Sequence, residues 1–337
     1  MKEDYVLKPT DPHDRYAEFD SQKTVNEIIE AIEDNGHSVV PLGNARKLLE
    51  MAKRPEVDIV FNIAEGDAGR NRESQVPIIL ELLEIPYIGA DALTLGLSLD
   101  KIFAKEIFIY HGIPTPKFFQ AEKLEDLKKL KLKFPLIVKP RFEGSSKGLN
   151  EDALVYDSSA LKKRVQWLLE TYKQPALIEE FISGEEFTVA VIGNDPAKVY
   201  RPVQIAISGK LDLGDLFYTH ENVTSTDLDY VYPAPISKEL AARIQELSLT
   251  AYRAVECRDW GRVDIRTNKK GEVFILEINP LPSLCSDDVF PLIAKYEGMT
   301  FSSLVGSILN AGLKRYNMFG REEKNNLTTK NFSAVYR

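Results

Sequence analysis

The chain has 337 residues, of which 44% are apolar, and its 51 acidic and 43 basic residues leave a net charge of −8 at pH 7. This apolar content exceeds that of disordered chains, and the acidic balance argues against a nucleic-acid partner, whose phosphates require a basic face. The two cysteines are too few for a disulfide framework or a zinc cluster. The lack of a membrane-length apolar run and of a secretory-type start predicts a cytoplasmic, multidomain globular protein with no membrane partner.

Residues 1–97 are predicted to form an N-terminal domain. Periodicity and apolar runs predict a helix, two strands and a second helix over residues 24–35, 37–42, 57–62 and 74–84. Thr24 and Glu27 have the spacing of a capping box at the first helix. This alternation predicts a parallel α/β layer. Residues 5–8 are too short and too charged for an opening strand, so we expect the domain to lack its first strand.

Two further domains, 98–195 and 196–313, and a polar tail, 314–337, are expected next. Helices are predicted over 99–111, 158–172, 237–256 and 301–311. Strands are predicted over 136–139, 176–181, 186–192 and 199–207, followed by a hairpin over 260–279. The expected fold class is α/β (α+β).

The hairpin carries polar residues on alternating positions. Arg262 and Asp264 share one strand face, as do Glu277 and Asn279 on the second strand. A four-residue turn at 268–271 is expected to place Arg262 opposite Glu277, with Asp264 one step diagonal to it. Carboxylate and amide oxygens suit Mg²⁺, so we predict a metal site at this hairpin. The alternative is a surface hairpin with a salt bridge.

The sequence Glu143 to Gly148 (EGSSKG) is a candidate phosphate-binding loop. Its backbone amides and the hydroxyls of Ser145 and Ser146 are suited to phosphate oxygens. Lys139, at the end of a buried strand, requires an anionic partner, and with Lys101 it is expected to hold polyphosphate. Alone, such a loop is also typical of an ordinary hairpin tip.

A third pattern follows the strand that ends near residue 181. Glu179 and Ile182 are candidates for contacts with an adenine base, and Glu186 is a candidate for a ribose. A strand that ends at a polar turn accounts equally well for this stretch taken by itself.

These segments occur in an order that resembles the ATP-grasp enzymes, most closely the D-alanine–D-alanine ligase family. The resemblance runs from residue 57 to 312 and includes the sequences IPYIGAD, LDK, VKP with GSS, IEEFISGEEFTVAV, WGRVDI and LEINPLP. It implies an N-terminal parallel α/β domain, a central lid domain and a C-terminal ATP-grasp domain. It also implies ATP and two Mg²⁺ ions as cofactors, with Mn²⁺ as a substitute.

The resemblance assigns roles to individual residues. Lys101 and Lys139 match phosphate contacts, Glu179 and Ile182 adenine contacts, and Glu186 a ribose contact. Ser145 and Ser146 match a catalytic phosphate lid. Asp264, Glu277 and Asn279 match the metal ligands, with Glu277 bridging, and Arg262 matches the catalytic arginine that steadies the acyl phosphate and the tetrahedral intermediate.

The implied reaction is phosphorylation of one amino acid's carboxylate by ATP, followed by attack of a second amino acid's amine. In this family the product is a peptidoglycan precursor for the cell wall. Small-molecule amino acids are the implied partners, and a homodimer is the implied assembly.

Several substrate positions depart from the family pattern. The opening glycine-rich loop and its amine-holding glutamate are absent, and Glu18 or Asp20 is a loose substitute. Glu65 stands in place of a histidine, and Ser283 in place of a glycine. In the covering loop, Val223 and Thr224 stand in place of a lysine and a tyrosine. Asp288 stands in place of a serine that binds the acceptor.

These departures leave three functions open. The first is ligation of two amino acids, as in D-alanine–D-alanine ligase. The second is the same chemistry on another amino acid or a peptide, because an aspartate at 288 repels a carboxylate. The third is a nucleotide-binding protein without ligase activity, suggested by the missing front strand and glutamate.

Overall fold

The computed structural model describes residues 6–9, 11–51, 54–66, 68–219 and 227–318, and the backbone of 331–335. The helices in these ranges are α1 (Gln22–Asp34), α2 (Ala45–Glu50), α3 (Gln75–Leu82), α4 (Ala92–Leu99), α5 (Lys101–Tyr110), α6 (Ser158–Tyr172), α7 (Lys238–Ala254), α8 (Val289–Tyr296) and α9 (Phe301–Arg315). The strands are β1 (Ser38–Val39), β2 (Ile59–Asn62), β3 (Tyr87–Ile88), β4 (Phe118–Ala121), β5 (Leu136–Pro140), β6 (Leu154–Val155), β7 (Ala176–Glu180), β8 (Gly184–Ile192), β9 (Lys198–Val199), β10 (Val203–Ile207), β11 (Leu228–Val231), β12 (Trp260–Asn268), β13 (Val273–Asn279) and β14 (Asn331–Val335). Within these ranges no helix has both the length and the apolar character needed to cross a bilayer.

The first sheet is parallel, with the strand order β1–β14–β2–β3. β2 is buried along its whole length, as its apolar sequence predicts. β14 lies between β1 and β2. The strand that we expected this sheet to lack at the start of the chain is thus replaced by one from residues 331–335. The expectation of a polar tail over 314–337 is therefore wrong for residues 331–335, whose backbone pairs with both neighbours.

The second sheet is antiparallel, with the order β4–β7–β5–β6. Helix α6 covers it, because Leu161, Val165 and Leu168 recur at helical spacing and are all buried. This packing fixes β5, the strand that carries Lys139.

Strand β8 lies on the other side of a domain boundary from the one expected, because the limit was placed at residue 195. It pairs with β12 over its full length and therefore belongs to the third sheet, ordered β11–β10–β8–β12–β13. The change of sheet occurs between β7 and β8, next to Gly184. The cleft between the two sheets therefore opens at residues 181–183.

The first and third sheets share one hydrophobic core. Trp260 of β12 packs against Phe61 of β2, with ring centroids 6.2 Å apart, and against Phe290 of α8, at 5.5 Å. All three rings are fully buried. This core fixes the first sheet relative to the hairpin of β12 and β13, and the α/β (α+β) class is confirmed.

Two helix starts differ from the sequence expectation because other residues cap them. Ser21, not Thr24, caps α1 and accepts a hydrogen bond from the Thr24 N–H. Asp100 caps α5 and accepts from the amides of Ile102 and Phe103, so the helix begins at Lys101 rather than 99. The cap directs the first turn of α5, and with it Lys101, toward the hairpin.

Candidate active site

Two cavities meet at the β12–β13 hairpin. A cleft of about 730 Å³ lies between the second and third sheets, and we call it the cleft. A wider space of about 1960 Å³ lies between the first domain and the third sheet, and we call it the cavity. Lys101, Asp264 and Glu277 line both. The two carboxylates therefore stand at the junction through which a group would pass from one space to the other.

The strand register brings these carboxylates directly opposite each other. Asp264 pairs with Glu277 and Arg262 with Asn279, so the expected pairing of Arg262 with Glu277 is wrong. The observed register differs from the expected one by one residue at the turn, where Thr267 pairs with Val273. It differs by one further residue at a bulge, where Leu276 has no partner on β12. Bulges commonly redirect side chains next to active sites, and this one aligns the carboxylates.

A network of polar contacts holds the Asp264 carboxylate. It accepts from Thr188 Oγ1 at 2.6 Å, from Asn279 Nδ2 at 2.9 Å and from Arg262 Nε at 3.1 Å. The facing Glu277 carboxylate is 2.5 Å from Lys101 Nζ. Burial raises the pKa of Glu277, but Lys101 and Lys139 outweigh it and lower the pKa to about 2. The Glu277 carboxylate is therefore ionised at neutral pH, as binding of a cation requires.

The donor set of this junction fits Mg²⁺. No group of three or more histidine, cysteine, aspartate or glutamate side chains forms a metal site among the described residues. The junction instead offers two carboxylates and, because Asn279 donates its amide nitrogen to Asp264, the free amide oxygen of Asn279. Mg²⁺ binds through a few such oxygens and completes its shell with water and phosphate. The predicted ligands Asp264, Glu277 and Asn279 are thus brought together.

In the cleft, Glu179 has a different partner from the one expected. Its carboxylate lies between two lysines, 2.5 Å from Lys105 Nζ and 2.5 Å from Lys139 Nζ, and the group is almost completely buried. Burial raises the pKa of Glu179, but the two lysines outweigh it and lower the pKa. Its role in the structure is to hold Lys139 in the cleft, while Ile182, which follows the strand, lines the cleft where a base would lie.

Sequence reasoning missed Lys105. Its Nζ donates to Thr115 Oγ1 at 2.8 Å and to the Leu276 carbonyl at 3.2 Å, which ties helix α5 to the bulge. Burial lowers the pKa of Lys105 to about 8, although Glu179 opposes the shift. The available signal was a lysine four residues after Lys101, placed between Ala104 and Phe108 on an apolar helix face.

Glu186 also lines the cleft, in contact with an arginine that the sequence prediction left out. Arg266 Nη1 donates to its carboxylate at 2.9 Å, and the same guanidinium donates to the carbonyls of Gly184, Gly214 and Leu216. Burial raises the pKa of Glu186, and Arg266 opposes the shift. Arg266 thus fixes the position of the Glu186 carboxylate, which is the group expected to bind the ribose hydroxyls.

The phosphate-loop candidate, residues 144–148, closes the mouth of the cleft. Ser145 and Ser146 both have left-handed backbone angles, φ 46° and 54°, so the chain turns sharply at the two hydroxyls. Ser146 lines the cleft and the cavity, whereas Ser145 lines the cavity alone. The loop therefore lies over the junction of the two spaces.

Carboxylates of the N-terminal segment hold this loop. Glu18 accepts the Gly144 N–H at 2.8 Å and pairs with Lys147 at 3.0 Å, while Asp14 accepts the Gly148 N–H at 2.7 Å. The Glu18 carboxylate is also 2.5 Å from Arg72 Nη2. Burial raises the pKa of Glu18, but Arg72 and Lys147 outweigh it and lower the pKa to about 2. Glu18 is therefore committed to the loop.

The cavity contains the three predicted substrate residues, Glu65, Ser283 and Asp288. Ser283 Oγ lies 3.5 Å from Asp20, and its oxygen accepts the Cys285 N–H at 3.1 Å. Asp288 caps α8 through the Val289 N–H, and its carboxylate lies 3.6 Å from Arg262 Nη1. Burial raises the pKa of Asp288 and Arg262 opposes the shift. An acid thus lies on the cavity wall beside Arg262.

The cavity wall includes a second acid that sequence reasoning did not single out. Glu73 precedes α3, lines the cavity and is only 7% exposed. Its sequence neighbours Arg72, Ser74 and Gln75 gave no signal, because burial of this acid depends on the packing of the first domain against the hairpin. The covering-loop positions Val223 and Thr224 lie outside the described residues.

Comparisons with known proteins agree with this geometry. A family model described as D-ala D-ala ligase C-terminus matches residues 107–310. The uncharacterized protein y4sG of Sinorhizobium fredii is 33% identical over 306 residues, which cover 87% of this chain and 88% of that protein. The D-alanine–D-alanine ligase of Carboxydothermus hydrogenoformans is 32% identical over 306 residues, covering 87% and 94%.

A solved structure extends the likeness to the fold. The D-alanine–D-alanine ligase from Bacillus anthracis complexed with ATP has a TM-score of 0.71 and 27% identity, over 88% of this chain and 94% of that one. The likeness therefore includes the first domain as well as the two sheets that enclose the cleft. The chain belongs to the D-alanine–D-alanine ligase family and is an ATP-dependent ligase of the ATP-grasp fold that forms C–N bonds.

Proposed function

We propose that this ligase activates the carboxylate of one amino acid as an acyl phosphate and joins it to the amine of a second, in the manner of D-alanine–D-alanine ligase. The observation that carries the proposal is the meeting of the cleft and the cavity at Lys101, Asp264 and Glu277. A nucleotide in the cleft would present its terminal phosphate there, and a substrate in the cavity would present its carboxylate there.

The cleft supplies the nucleotide contacts in this proposal. Lys139 and Lys101 neutralise the phosphate charge, and the backbone amides and hydroxyls of residues 144–148 surround the phosphate oxygens. Ile182 lies against the adenine and Glu186 receives the ribose hydroxyls. The family uses ATP and Mg²⁺ generally, and a pair of Mg²⁺ ions held by Asp264, Glu277 and Asn279 would neutralise phosphate charge during transfer.

The reaction then proceeds in two displacements. A carboxylate oxygen of the first substrate attacks the γ-phosphorus, the bond to the β-phosphate oxygen breaks, and ADP leaves. The amine nitrogen of the second substrate attacks the acyl carbon, the carbon–oxygen bond to phosphate breaks, and the nitrogen loses a proton. Arg262, at the junction, stabilises the negative charge that develops on the acyl oxygen. Ser145 and Ser146, in the loop above it, exclude water from the acyl phosphate.

A second candidate uses the same chemistry with a different acceptor. Asp288 on the cavity wall repels a carboxylate of the acceptor, and this favours another amino acid, or a peptide, whose carboxylate lies elsewhere. A protein that binds ATP without turning it over is the third candidate. The preserved junction of two facing carboxylates and Lys101 favours the catalytic candidates over it.

ADP release with Mg²⁺-ATP tests the proposal. Wild-type protein is compared with no amino acid, D-alanine, L-alanine and a mixed amino-acid pool, and product masses are read from the same reactions. D-alanine-dependent ADP release with a D-alanyl-D-alanine mass supports the first candidate. Turnover with the pool alone supports the second. No ADP in any reaction, with ATP still bound, contradicts both.

The proposal includes a homodimer, as the family resemblance implies. Light scattering of the purified chain tests it, and a monomeric mass at working concentration would contradict it.

A further inference from the structure

Lys105 is a fully buried cation whose three ammonium protons all have partners. Its Nζ lies 2.5 Å from a carboxylate oxygen of Glu179, and it donates to Thr115 Oγ1 at 2.8 Å and to the Leu276 carbonyl at 3.2 Å. An ammonium group has three donors, so these contacts leave none for a ligand. Any effect of Lys105 on the reaction must therefore pass through the residues that it contacts.

One of these contacts supports the bulge in β13. Leu276 has no partner on β12, and the next residue, Glu277, pairs with Asp264. A bulge leaves backbone groups out of the ladder, and a carbonyl inside the protein is costly to leave without a donor. Lys105 supplies that donor to the Leu276 carbonyl. It therefore stabilises the register that places Asp264 opposite Glu277.

The other charged contact reaches the opposite wall of the cleft. Glu179 lies on β7 of the second sheet, and its second carboxylate oxygen is 2.5 Å from Lys139 Nζ. Lys139 lines the cleft from β5, whereas Leu276 and Glu277 line it from β13 of the third sheet. Lys105 thus contacts one wall directly, at the bulge, and reaches Lys139 on the other wall through Glu179.

Helix α5 and the linker after it contact three successive residues of β13. Lys101 precedes Lys105 by four residues, so both side chains project from one face of the helix. Lys101 Nζ lies 2.5 Å from the Glu277 carboxylate, and the Pro114 carbonyl accepts the Ile275 N–H at 2.8 Å. With the Lys105 contact between them, the whole bulge is held from α5 and its linker.

We propose that Lys105 is a positioning residue that fixes Lys139 and Glu277 relative to each other across the cleft, at the separation that phosphate transfer requires. This inference rests on the proposed ligase function, in which Lys139 neutralises phosphate charge and Glu277 binds Mg²⁺. The same nucleotide phosphates would engage both groups, so a change in their separation weakens nucleotide and metal binding together. A residue that served the fold alone would change stability and leave both affinities as they are.

The test compares Lys105→Met with Thr115→Val in the full chain. Both variants remove a buried hydrogen bond, but Thr115→Val leaves the Lys105 contacts to Glu179 and Leu276 in place. Calorimetry measures the Kd for ATP with Mg²⁺ and in EDTA, and ADP release measures the Mg²⁺ concentration for half-maximal activity. We expect Lys105→Met to raise each value roughly tenfold or more, and Thr115→Val to change each by less than about twofold.

Two further variants separate positioning from folding. Lys105→Arg keeps the charge and the donors, so it should recover part of the ATP affinity. Lys105→Gln keeps a donor for the Leu276 carbonyl and gives the deciding measurement if Lys105→Met does not fold, which circular dichroism and urea unfolding show.

The outcomes distinguish this inference from the ligase proposal. In folded Lys105→Met or Lys105→Gln, unchanged ATP affinity together with an unchanged Mg²⁺ requirement overturns the inference alone. Equal losses in Thr115→Val overturn it as well. Absence of ADP release in the wild type overturns the ligase proposal, and the ATP affinities, which need no turnover, still decide whether Lys105 positions Lys139.

Discussion

Asp264 and Glu277 face each other directly across the β12–β13 ladder because Leu276 bulges out of it. Lys101 reaches Glu277 at 2.5 Å from the capped start of α5, so three separate elements converge at one point. This convergence is what places the chemistry between the cleft and the cavity.

Glu277→Gln should abolish ATP turnover without unfolding the chain. The substitution removes the charge that faces Asp264, and loss of one charge-stabilising group in such a site lowers kcat by roughly a hundredfold or more. ADP release at saturating Mg²⁺-ATP measures the effect, and circular dichroism checks the fold. Glu272→Gln, an exposed change in the same hairpin, is the control and should retain wild-type turnover. Normal turnover in Glu277→Gln would contradict the assignment of the junction.

Glu179→Gln should destabilise the protein strongly. It leaves Lys105 and Lys139 without their common carboxylate in a buried setting, and breaking such a pair lowers the free energy of unfolding by about 3 kcal/mol. Urea unfolding measures this change. The neighbouring Glu180→Gln is the control, since Glu180 is only partly buried and accepts a single backbone hydrogen bond from Lys133. Equal stability of the two variants would contradict the role of Glu179 as the anchor of both lysines.

The stability gained by Glu73→Gln should depend on pH. The pKa of Glu73 is raised from 4.5 to about 7 by burial, against Arg72, Lys101 and Lys147 and with Glu18. Between these two values the folded chain binds more protons at this site than the unfolded chain, so wild-type stability declines as pH rises through this range. Glutamine cannot ionise, so the Tm difference between Glu73→Gln and wild type should grow in favour of the variant from pH 4.5 to 7 and then level off. A difference that is constant with pH would show that Glu73 ionises normally.

Asp14→Ala should loosen the phosphate loop. Asp14 accepts the Gly148 N–H at 2.7 Å and the Tyr172 hydroxyl at 2.7 Å, so its removal frees one end of the loop. Amide hydrogen exchange in residues 144–148 should speed up by roughly tenfold, the equivalent of one hydrogen bond. Asp11→Ala is the matched control, because Asp11 belongs to the same segment and contacts Arg15 and Lys8 instead. Equal exchange in both variants would contradict the anchoring role of Asp14.

The sequence was sufficient to predict the residues of the junction but not their pairing. Alternation along the strands placed Arg262 with Asp264 and Glu277 with Asn279, because side chains repeat every two residues along a strand. The register depended on a bulge at Leu276, which the periodicity does not encode.

Long-range packing accounts for what the sequence did not reveal. β14 fills the first sheet from beyond a polar stretch of the chain, and its backbone pairs with both β1 and β2. The burial of Glu73 and the anchoring of the loop by Asp14 and Glu18 depend on contacts between residues far apart in the chain. Such contacts become apparent only when the cavity walls are assembled.

The transfer of carboxylate oxygen to phosphate tests the central claim most directly. An amino-acid substrate whose carboxylate carries ¹⁸O is turned over with unlabelled Mg²⁺-ATP, and the released phosphate is analysed by mass. If the carboxylate attacks the γ-phosphorus and the acyl carbon–oxygen bond then breaks, each phosphate released with product carries one oxygen from the amino acid. We predict this label in the phosphate of the wild-type reaction. Product accompanied by phosphate without ¹⁸O would contradict an acyl-phosphate mechanism.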